Sequence, residues 1–340
     1  MGADIGEILV KEEIDLHRLG SKAVAIDGHN ALYQFLAIIR GPDGRPLSNR
    51  QGKVTSHLSG IFYRTCNLLT NNIRPVYVFD GKPPDFKIKE VRERSQRREE
   101  ARQKYDEALR EGQLEQAKKF AQAASRIDQH ILSSGKQLLR LLGIPTVDAP
   151  SEGEAEAAYL SKKGLVFATA SQDYDSALFG AKFIVRNLAI TGRRKLPGKK
   201  SYIEVNPELI DIDASLKEIG ISREALVLIA MIVGTDYTEG IKGIGPKKAL
   251  ALIRQGLSID EIYAQNGLQK PEETEQIKQF FMNPPVTDIK ELNLERPDQD
   301  KLLSFLVDEY DFSEERVRKA IEPVILTYDR RATGLGKFMS

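Results

Sequence analysis

Short apolar runs, separated by longer stretches of helical periodicity, are the feature that most limits how this chain can fold. The runs occupy residues 23–26, 76–79, 144–147, 165–168 and 183–185. Their length and their β-branched and aromatic content are typical of buried strands. Strands that alternate with helices predict an α/β fold, with a mostly parallel central sheet and helices on both faces.

The stretch 85–134 interrupts this alternation. It is rich in Glu, Arg, Lys, Gln and Ala, has a break at Gly112, and carries too few apolar residues for a core helix. We therefore expect an exposed insertion of two or more helices. Beyond it the pattern predicts one more strand at 202–205, after which helices dominate.

The length of 340 residues would allow two average domains, but α/β enzymes often exceed that length as one domain. We predict a single domain over residues 1–330. It comprises an N-terminal region (1–84), the helical insertion (85–134), an internal region (135–255) and a C-terminal helical region (256–330), followed by a tail at 331–340.

Charge is balanced overall, with 50 Lys and Arg against 49 Asp and Glu, but it is unevenly distributed. Seven basic residues and no acidic one lie between Lys182 and Lys200. Basic stripes in a neutral protein require an acidic excess elsewhere. No run approaches the roughly 18 apolar residues of a membrane helix, and the chain does not begin with a signal-peptide pattern. We therefore expect a soluble, intracellular protein.

Aspartates follow three of the predicted strands: Asp27, Asp80, and Asp173 with Asp175. One such aspartate usually begins a turn or caps a helix. In a parallel sheet the carboxyl ends of strands meet at one edge, where gathered carboxylates repel one another unless a cation neutralises them. Oxygen-only ligands indicate Mg²⁺ or Mn²⁺ rather than zinc. A further aspartate, Asp236, follows an apolar helical stretch.

The segment 148–156 adds three glutamates, Glu152, Glu154 and Glu156. Two interpretations remain open on spacing alone. Ser151 and Glu154 match the S-x-x-E capping box that begins many helices. Alternatively, Glu152 and Glu154 share a metal site, which requires the chain to be still entering the helix, because residues two apart on a helix do not face each other.

Residues 241–250 predict a phosphate-binding turn. Gly243 and Gly245 allow a tight turn with exposed backbone N–H groups, and Pro246 suits the first position of a helix. Lys247 and Lys248 lie in its first turn. Such a turn would hold DNA backbone without reading bases. An ordinary helix–helix turn is the alternative.

Several longer stretches together resemble the flap endonuclease family of structure-specific 5′ nucleases, and its archaeal branch in particular. They are TSHLSGIFYRT, PVYVFDGKPP, APSEGEA, SQDYDS, RNLAITGRRKLPGKK and VGTDYTEGIKGIGPKKAL. The resemblance runs over nearly the whole chain, and these ordered motifs are too long and specific to arise by chance.

The resemblance implies an active site with two Mg²⁺ ions, for which Mn²⁺ could substitute. Its seven carboxylates would be Asp27, Asp80, Glu152, Glu154, Asp173, Asp175 and Asp236. Glu156 is not among them, and we expect it to be a solvated helix residue. The insertion corresponds to the family's arch, through which the 5′ flap passes. On it, Lys87 and Arg94 match the basic pair that reaches the scissile phosphate.

DNA contacts are implied as well. Tyr33 matches an aromatic residue on which a base near the cut stacks, and Thr55 lies in the region that receives an unpaired 3′ nucleotide. The glycine turn matches a helix-hairpin-helix element that binds K⁺ together with DNA backbone. The remaining duplex contacts expected are Arg40, Arg64, Gly243, Gly245, Lys247 and Lys248.

The chain departs from the family's pattern at two internal places. Gly28 and His29 follow the first aspartate, where relatives usually carry alanine and another residue. We expect a packing or supporting role for His29 rather than a catalytic one. Gly240 replaces a serine that some relatives place near the potassium ion, so carbonyl groups and water would hold that ion.

The tail departs from the peptide with which family members bind a sliding clamp, the proliferating cell nuclear antigen. Leu335 and Phe338 match two apolar anchors, but Ala332 stands at the glutamine position and Met339 at the second aromatic one. We expect weak clamp binding. A frayed terminus without a partner is the alternative.

The reaction so implied is hydrolysis of DNA phosphodiesters at the base of 5′ flaps by a monomer, with 5′–3′ exonuclease activity, in Okazaki fragment maturation and base excision repair. A junction resolvase or a 5′ exonuclease is the alternative within the class. The insertion of roughly fifty residues and the region of Thr55 favour the flap enzyme. A non-catalytic DNA-binding scaffold would be expected to lose metal ligands. All seven carboxylates are present here.

Overall fold

A seven-stranded sheet forms the centre of the molecule. The structure is a computed structural model, which describes residues 3–41, 44–188, 192–195 and 202–332. The described residues form nine strands, seven of them in this sheet. The strands are β1 (Glu12–Glu13), β2 (Ala23–Asp27), β3 (Arg74–Phe79), β4 (Thr146–Asp148), β5 (Ala168–Ala170), β6 (Phe183–Arg186), β7 (Gly192–Lys195), β8 (Tyr202–Val205) and β9 (Glu208–Asp211). The sheet has the order β1-β9-β6-β5-β2-β3-β4, and β7 with β8 forms a separate two-stranded sheet.

Helices surround the sheet. They are α1 (Gly28–Ile38), α2 (Ser56–Thr70), α3 (Ile88–Arg110), α4 (Leu114–Ala123), α5 (Gln129–Leu141), α6 (Gly153–Lys163), α7 (Asp175–Leu178), α8 (Ile212–Ile219), α9 (Arg223–Val233), α10 (Pro246–Arg254), α11 (Ile259–Gln265), α12 (Thr274–Met282), α13 (Gln299–Leu303) and α14 (Glu314–Ala332). None of the helices in the described ranges is long and apolar enough to cross a membrane.

Strands β2 to β6 are parallel, whereas β9 pairs antiparallel with β6, and β1 with β9. The predicted α/β fold with a mostly parallel sheet is therefore confirmed. From β2 the chain builds outward through β3 and β4, and then returns to add β5 on the other side of β2. This reversal is a topological switch point, and ligands of open α/β sheets bind there, beyond the carboxyl ends of the strands.

Alternate residues of the strands face two separate cores. Val24 and Ile26 belong to a cluster with residues of α1, α2, α5 and α14, while Ala25 packs on the other face against Leu160 of α6. A portion of that second face is covered by the irregular segment 283–294, whose Ile289 and Leu292 pack there.

The insertion contains α3 and α4, so the expectation of two or more helices is met. Most residues of α3 are exposed, as its composition predicts. Where the two helices pack, small residues are buried: Ala101 and Ala108 on α3, Ala117 and Ala121 on α4. Close contact between two sparsely apolar helices is possible because alanine lets their backbones approach.

Three short strands were not predicted from the sequence: β1, β7, which reads Gly-Arg-Arg-Lys, and β9. β1 consists of two glutamates, and β9 reads Glu-Leu-Ile-Asp, so neither shows a clear apolar run. In addition, β5 begins at Ala168 rather than at 165. The preceding residues complete the end of α6, where Gly164 adopts a left-handed conformation and Leu165 donates to the carbonyl of Leu160.

Candidate active site

The predicted carboxylates lie around the carboxyl edge of the sheet. Asp27 ends β2, Asp80 follows β3, and Asp173 and Asp175 follow β5. Beside them, α6 begins at Gly153 and presents its first turn to the same edge, because the Gly153 backbone N–H donates to Asp80 Oδ1 at 2.7 Å. Parallel pairing of β2 with both β3 and β5 is what brings these strand ends together.

Backbone groups orient three of the aspartates. Asp27 Oδ1 accepts from the N–H of Asn30 at 2.9 Å and so caps α1. Asp175 Oδ1 accepts from the N–H of Ala3 at 2.8 Å in a buried contact. Together with the bond to Asp80, these contacts restrict each carboxylate before any ligand binds. The Ala3 contact could not be predicted, since 172 residues separate the two partners.

Burial and mutual repulsion make these carboxylates hard to ionise. Burial, followed by the charge of Asp80, raises the pKa of Asp27 to about 7. Burial also raises the pKa of Asp175 to about 7, with Asp236 and Asp173 adding to it. For Glu154, burial and then the charges of Asp175 and Asp27 raise the pKa well above its usual value. The carboxylates therefore form one electrostatically coupled cluster.

Two basic residues of the insertion partly neutralise this cluster. Lys87 Nζ lies 2.6 Å from Glu152 Oε2 and 3.8 Å from Asp236 Oδ2, and Arg94 Nη2 lies 2.7 Å from the same oxygen of Asp236. Burial lowers the pKa of Lys87, but Glu152 and Asp236 more than offset this and raise it overall. The structure thus brings both predicted basic residues to the carboxylates.

The capping-box interpretation of Ser151 and Glu154 is wrong. Glu152 occupies the N-cap position of α6 and makes no side-chain cap, while Glu154 Oε1 accepts a hydrogen bond from Ser171 Oγ. Because Glu152 precedes the helix and Glu154 lies in its first turn, both can reach the same edge of the sheet. The same hydroxyl of Ser171 accepts from the N–H of Asp173 at 3.1 Å. Sequence reasoning missed Ser171, although a serine two residues before an aspartate is a typical turn signal.

Glu156 is not the solvated residue that we expected. It is fully buried, and its Oε2 accepts from the backbone N–H of Thr287 at 2.8 Å. Burial raises its pKa, which the bond to Thr287 partly opposes. Glu156 is buried because the segment 283–294, distant along the chain, crosses α6 and covers this face.

His29 contacts a predicted metal ligand, since its Nδ1 lies 3.2 Å from Asp80 Oδ2. Its Nδ1 accepts from the backbone N–H of Asp80 at 3.0 Å, and its ring meets Phe79 edge-on at 5.7 Å. A Cβ at Gly28 would lie 2.5 Å from the Phe79 ring, so glycine permits this packing where alanine would not. A supporting role for His29 is consistent with this geometry.

The donor set fits a hard divalent cation. Its groups are carboxylate oxygens, several of them buried and with raised pKa values, an arrangement that cations relieve. As the side chains stand, no group of three or more His, Cys, Asp or Glu within the described ranges is arranged to hold a metal ion. Lys87 and Arg94 supply the positive charge instead.

The glycine turn joins α9 to α10. Gly245 is the N-cap of α10, Pro246 takes its first position, and the side chains of Lys247 and Lys248 are exposed. Gly243 has φ of +85°, whereas Gly245 has φ of −86°, and a Cβ there would meet no atom within 4 Å. Lys247 lies 3.4 Å from Glu7, in an exposed and therefore weak ion pair.

The other predicted DNA contacts occupy varied environments. The ring of Tyr33 lies under the guanidinium of Arg98, with 5.5 Å between Cζ and the ring centroid. Thr55 is 7% exposed and precedes α2. Arg40 donates to the carbonyls of Ala37 and Gly44, and Arg64 is half-buried and lines the same cavity as Asp27. The predicted clamp anchors Leu335 and Phe338 lie outside the described residues.

The sequence matches two family models and is similar to several known proteins. The model of the XPG N-terminal domain matches residues 5–101, and that of the XPG I-region matches residues 143–236. The chain is 54% identical over 325 residues to Flap endonuclease 1 of Thermococcus onnurineus, covering 95% of this chain and 94% of that protein. It is 51% identical over 335 residues to Flap endonuclease 1 of Archaeoglobus fulgidus, covering 98% of both.

Solved structures are similar as well. Flap endonuclease-1 from Methanococcus jannaschii superposes with a TM-score of 0.76 at 42% identity, over 97% of this chain and 100% of that one. The catalytic core of Rad2 in complex with DNA substrate superposes with a TM-score of 0.70 at 25% identity, over 94% and 98% of the two chains.

Proposed function

This chain belongs to the flap endonuclease family, and we propose that it hydrolyses DNA phosphodiesters at the base of 5′ flaps, with 5′–3′ exonuclease activity. Flap removal serves replication, in Okazaki fragment maturation, and base excision repair. The observation that carries this proposal is the coupled carboxylate cluster at the switch point of the sheet, with Lys87 and Arg94 reaching into it. We propose that the protein works inside the cell, where DNA is replicated and repaired.

The seven carboxylates would hold two Mg²⁺ ions. They are Asp27, Asp80, Glu152, Glu154, Asp173, Asp175 and Asp236. When bound, such ions lower the pKa of the attacking water and stabilise charge on the phosphate. The protein's own contribution is to fix these oxygens in advance, through the backbone bonds to Asp27, Asp80 and Asp175.

Lys87 and Arg94 would stabilise the negative charge that grows on the scissile phosphate. Both already lie against carboxylates, so each needs only to exchange a carboxylate for a phosphate oxygen. A fixed cation in a partly buried site stabilises such charge more strongly than the same cation in water. Specificity for the junction would come from its shape, not from its sequence.

Duplex DNA would bind on either side of this centre. The exposed turn at Gly243 and Gly245, with Lys247 and Lys248, would hold backbone phosphates and K⁺. At the other side, Tyr33 would stack on a base once Arg98 moves off its ring. We assign Arg40, Arg64 and Thr55 to further contacts with the duplex and its 3′ nucleotide.

The clamp is the expected protein partner of the monomer. Because Gln and one aromatic anchor of the binding peptide are replaced, affinity should fall by roughly 2–4 kcal/mol, or about thirty- to a thousandfold. Calorimetry of a peptide spanning 331–340 against the cognate clamp measures this. Undetectable binding, with flap cutting unstimulated by the clamp, would favour a frayed terminus.

The flap activity is tested with the pure protein, Mg²⁺ and a labelled double-flap DNA. A Holliday junction and a nicked duplex of the same sequence serve as matched substrates. We expect one cut near the base of the flap, slower removal of nucleotides at the nick, and little cutting of the junction. Preferred cutting of the Holliday junction would replace this proposal with a resolvase.

A further inference from the structure

An aromatic cluster lies at the base of the insertion, immediately before α3. The ring of Phe86 meets Tyr237 edge-on at 5.3 Å and Phe280 edge-on at 5.2 Å between centroids. Tyr237 and Phe280 also meet each other edge-on at 5.6 Å. Edge-to-face packing at these distances is favourable and geometrically specific. Phe86 is therefore seated between two segments of the body, the one after α9 and helix α12.

This cluster stands next to two site residues along the chain. Phe86 precedes Lys87, and Tyr237 follows Asp236. The ammonium of Lys87 lies 5.5 Å from the centroid of the Tyr237 ring and 3.8 Å from Asp236 Oδ2. One contact, between Phe86 and Tyr237, thus fixes the distance between the backbone that carries Lys87 and the backbone that carries Asp236.

Lys87 needs such an attachment. Its own backbone bond, from its N–H to the carbonyl of Pro84 at 2.9 Å, is local and does not reach the body. From residue 91 onward, most described residues of the helix that follows are exposed. A lysine side chain is long and flexible, and its ammonium can be held in one place only if its base is held.

We infer that Phe86 is a positioning residue for the reaction, which holds Lys87 at the carboxylates by packing between Tyr237 and Phe280. This inference rests on the proposed role of Lys87 in stabilising the scissile phosphate. The ring contacts of Phe86 are with Tyr237 and Phe280, so Phe86 would act on the reaction only through its neighbours. Its removal should therefore impair the chemical step through Lys87 and leave the rest of the DNA interface intact.

Single-turnover cutting of the double-flap DNA by Phe86→Ala tests this inference. We expect a rate lower by about 10- to 100-fold at saturating enzyme, because displacement of a catalytic group by about 1 Å can cost that much. Substrate affinity should change by less than about threefold, since one of many contacts is affected. Phe86→Leu, which refills much of the space, should recover most of the rate. Phe280→Ala supplies a second variant with the same expected loss, should Phe86→Ala not fold.

A double-mutant cycle with Lys87→Ala distinguishes positioning from a general structural effect. If Phe86 acts through Lys87, adding Phe86→Ala to Lys87→Ala should cost little more. The control is Phe167→Ala, which removes an aromatic contact with Phe183 at 4.6 Å near the amino edge of the sheet. Its effect should be small and independent of Lys87.

Two outcomes overturn the inference: a normal rate in folded Phe86→Ala, or losses from Phe86→Ala and Lys87→Ala that multiply. A normal rate in Lys87→Ala alone would instead contradict the proposed role of Lys87. The two failures are thus told apart by the same set of proteins.

Discussion

Lys87 Nζ lies 2.6 Å from Glu152 Oε2, and the two side chains are only 13% and 11% exposed. An ion pair this far from water stabilises the fold little on balance, because desolvation offsets most of the attraction. Its significance lies in the identity of the partners. A residue proposed to bind phosphate is paired with a residue proposed to bind metal. On the proposed assignment, Lys87 is an internal counter-ion that a metal would have to displace from Glu152.

Replacement of Lys87 by methionine should increase the affinity of the DNA-free protein for Mg²⁺ while slowing the cutting of flaps. Loss of the competing ammonium leaves Glu152 available, and we expect about tenfold tighter binding, or about 1.4 kcal/mol. Loss of the cation from the scissile phosphate should slow chemistry by about 10²–10³-fold. Calorimetric titration with Mg²⁺ and single-turnover kinetics measure the two effects.

Lys136→Met is the matched control, because Lys136 also pairs with a carboxylate, Asp148, which is not a proposed ligand. Its affinity for Mg²⁺ should equal that of the unchanged protein. Weaker metal binding by Lys87→Met would show that Lys87 does not compete with the metal.

Asp175→Asn should abolish cutting without preventing DNA binding. The amide keeps an oxygen that can accept from the Ala3 N–H, so the local structure should persist. Replacing one metal ligand should cost more than the roughly 10- to 100-fold typical of supporting residues. In EDTA the variant should unfold at higher urea concentration, by on the order of 1–2 kcal/mol, since a buried charge that its neighbours repel is removed.

Flap binding by Asp175→Asn in Ca²⁺ should remain within about threefold, or under 1 kcal/mol. Ser176→Ala, a change at the neighbouring buried position, controls for a disturbance of α7. Near-normal turnover at saturating Mg²⁺ would remove Asp175 from the metal site.

The sequence predicts which aspartates gather at the carboxyl edge of the sheet. Asp27, Asp80 and Asp175 could be placed together because strand ends of a parallel sheet must share an edge, and this follows from local patterns alone. Lys87 and Arg94 were assigned only through the resemblance to a family. Nothing in their spacing indicates that the start of the insertion would bring them against Glu152 and Asp236.

Long-range packing limits what the sequence can predict. The resemblance leaves Glu156 outside the ligand set, which indicates a solvated helix residue, yet residue 287 lies against it. The sequence likewise gives no sign of the hydrogen bond from the Ala3 N–H to Asp175, or of the packing of Phe86 against Phe280. Each contact joins segments more than 100 residues apart. Periodicity and spacing report on neighbours along the chain and cannot predict such pairs.

Gly245→Ala should weaken binding to duplex DNA without lowering stability. Because Gly245 has φ of −86° and open space at its Cβ position, the fold accepts alanine there. The methyl group would nevertheless stand between backbone N–H groups and a phosphate, and we expect about three- to tenfold weaker binding, or about 0.6–1.4 kcal/mol. Fluorescence anisotropy with a duplex measures this.

Gly240→Ala serves as the contrasting variant, at a glycine whose backbone conformation the fold requires. Its φ is +70°, and a Cβ would lie 2.4 Å from the carbonyl oxygen of Val233, so the variant should lose stability by about 1–3 kcal/mol. Unchanged duplex affinity in Gly245→Ala would mean that the turn connects two helices and does not hold phosphate.

His57 should make the fold sensitive to acid. It is completely buried on α2, with Nε2 2.8 Å from Ser134 Oγ, and among the described residues its Nδ1 has no hydrogen-bond partner. Burial, and then the nearby His130, lower its pKa to about 4, while Asp128 opposes the shift. The neutral ring is therefore the form that the folded state accepts.

The direction of the effect follows from linkage. An unfolded chain protonates this histidine near its ordinary pKa of about 6.5, whereas the folded chain resists protonation until about pH 4. The stabilisation is thus complete above pH 6.5 and is lost as the pH falls towards 4, by about 3 kcal/mol in all.

Urea unfolding in EDTA at several pH values, compared with His57→Gln, isolates this contribution, because both proteins carry the same carboxylates. The difference in unfolding free energy between them should shrink as the pH falls below 6.5. Parallel curves from pH 7 to pH 4 would show that His57 is protonated as easily in the fold as in the unfolded chain.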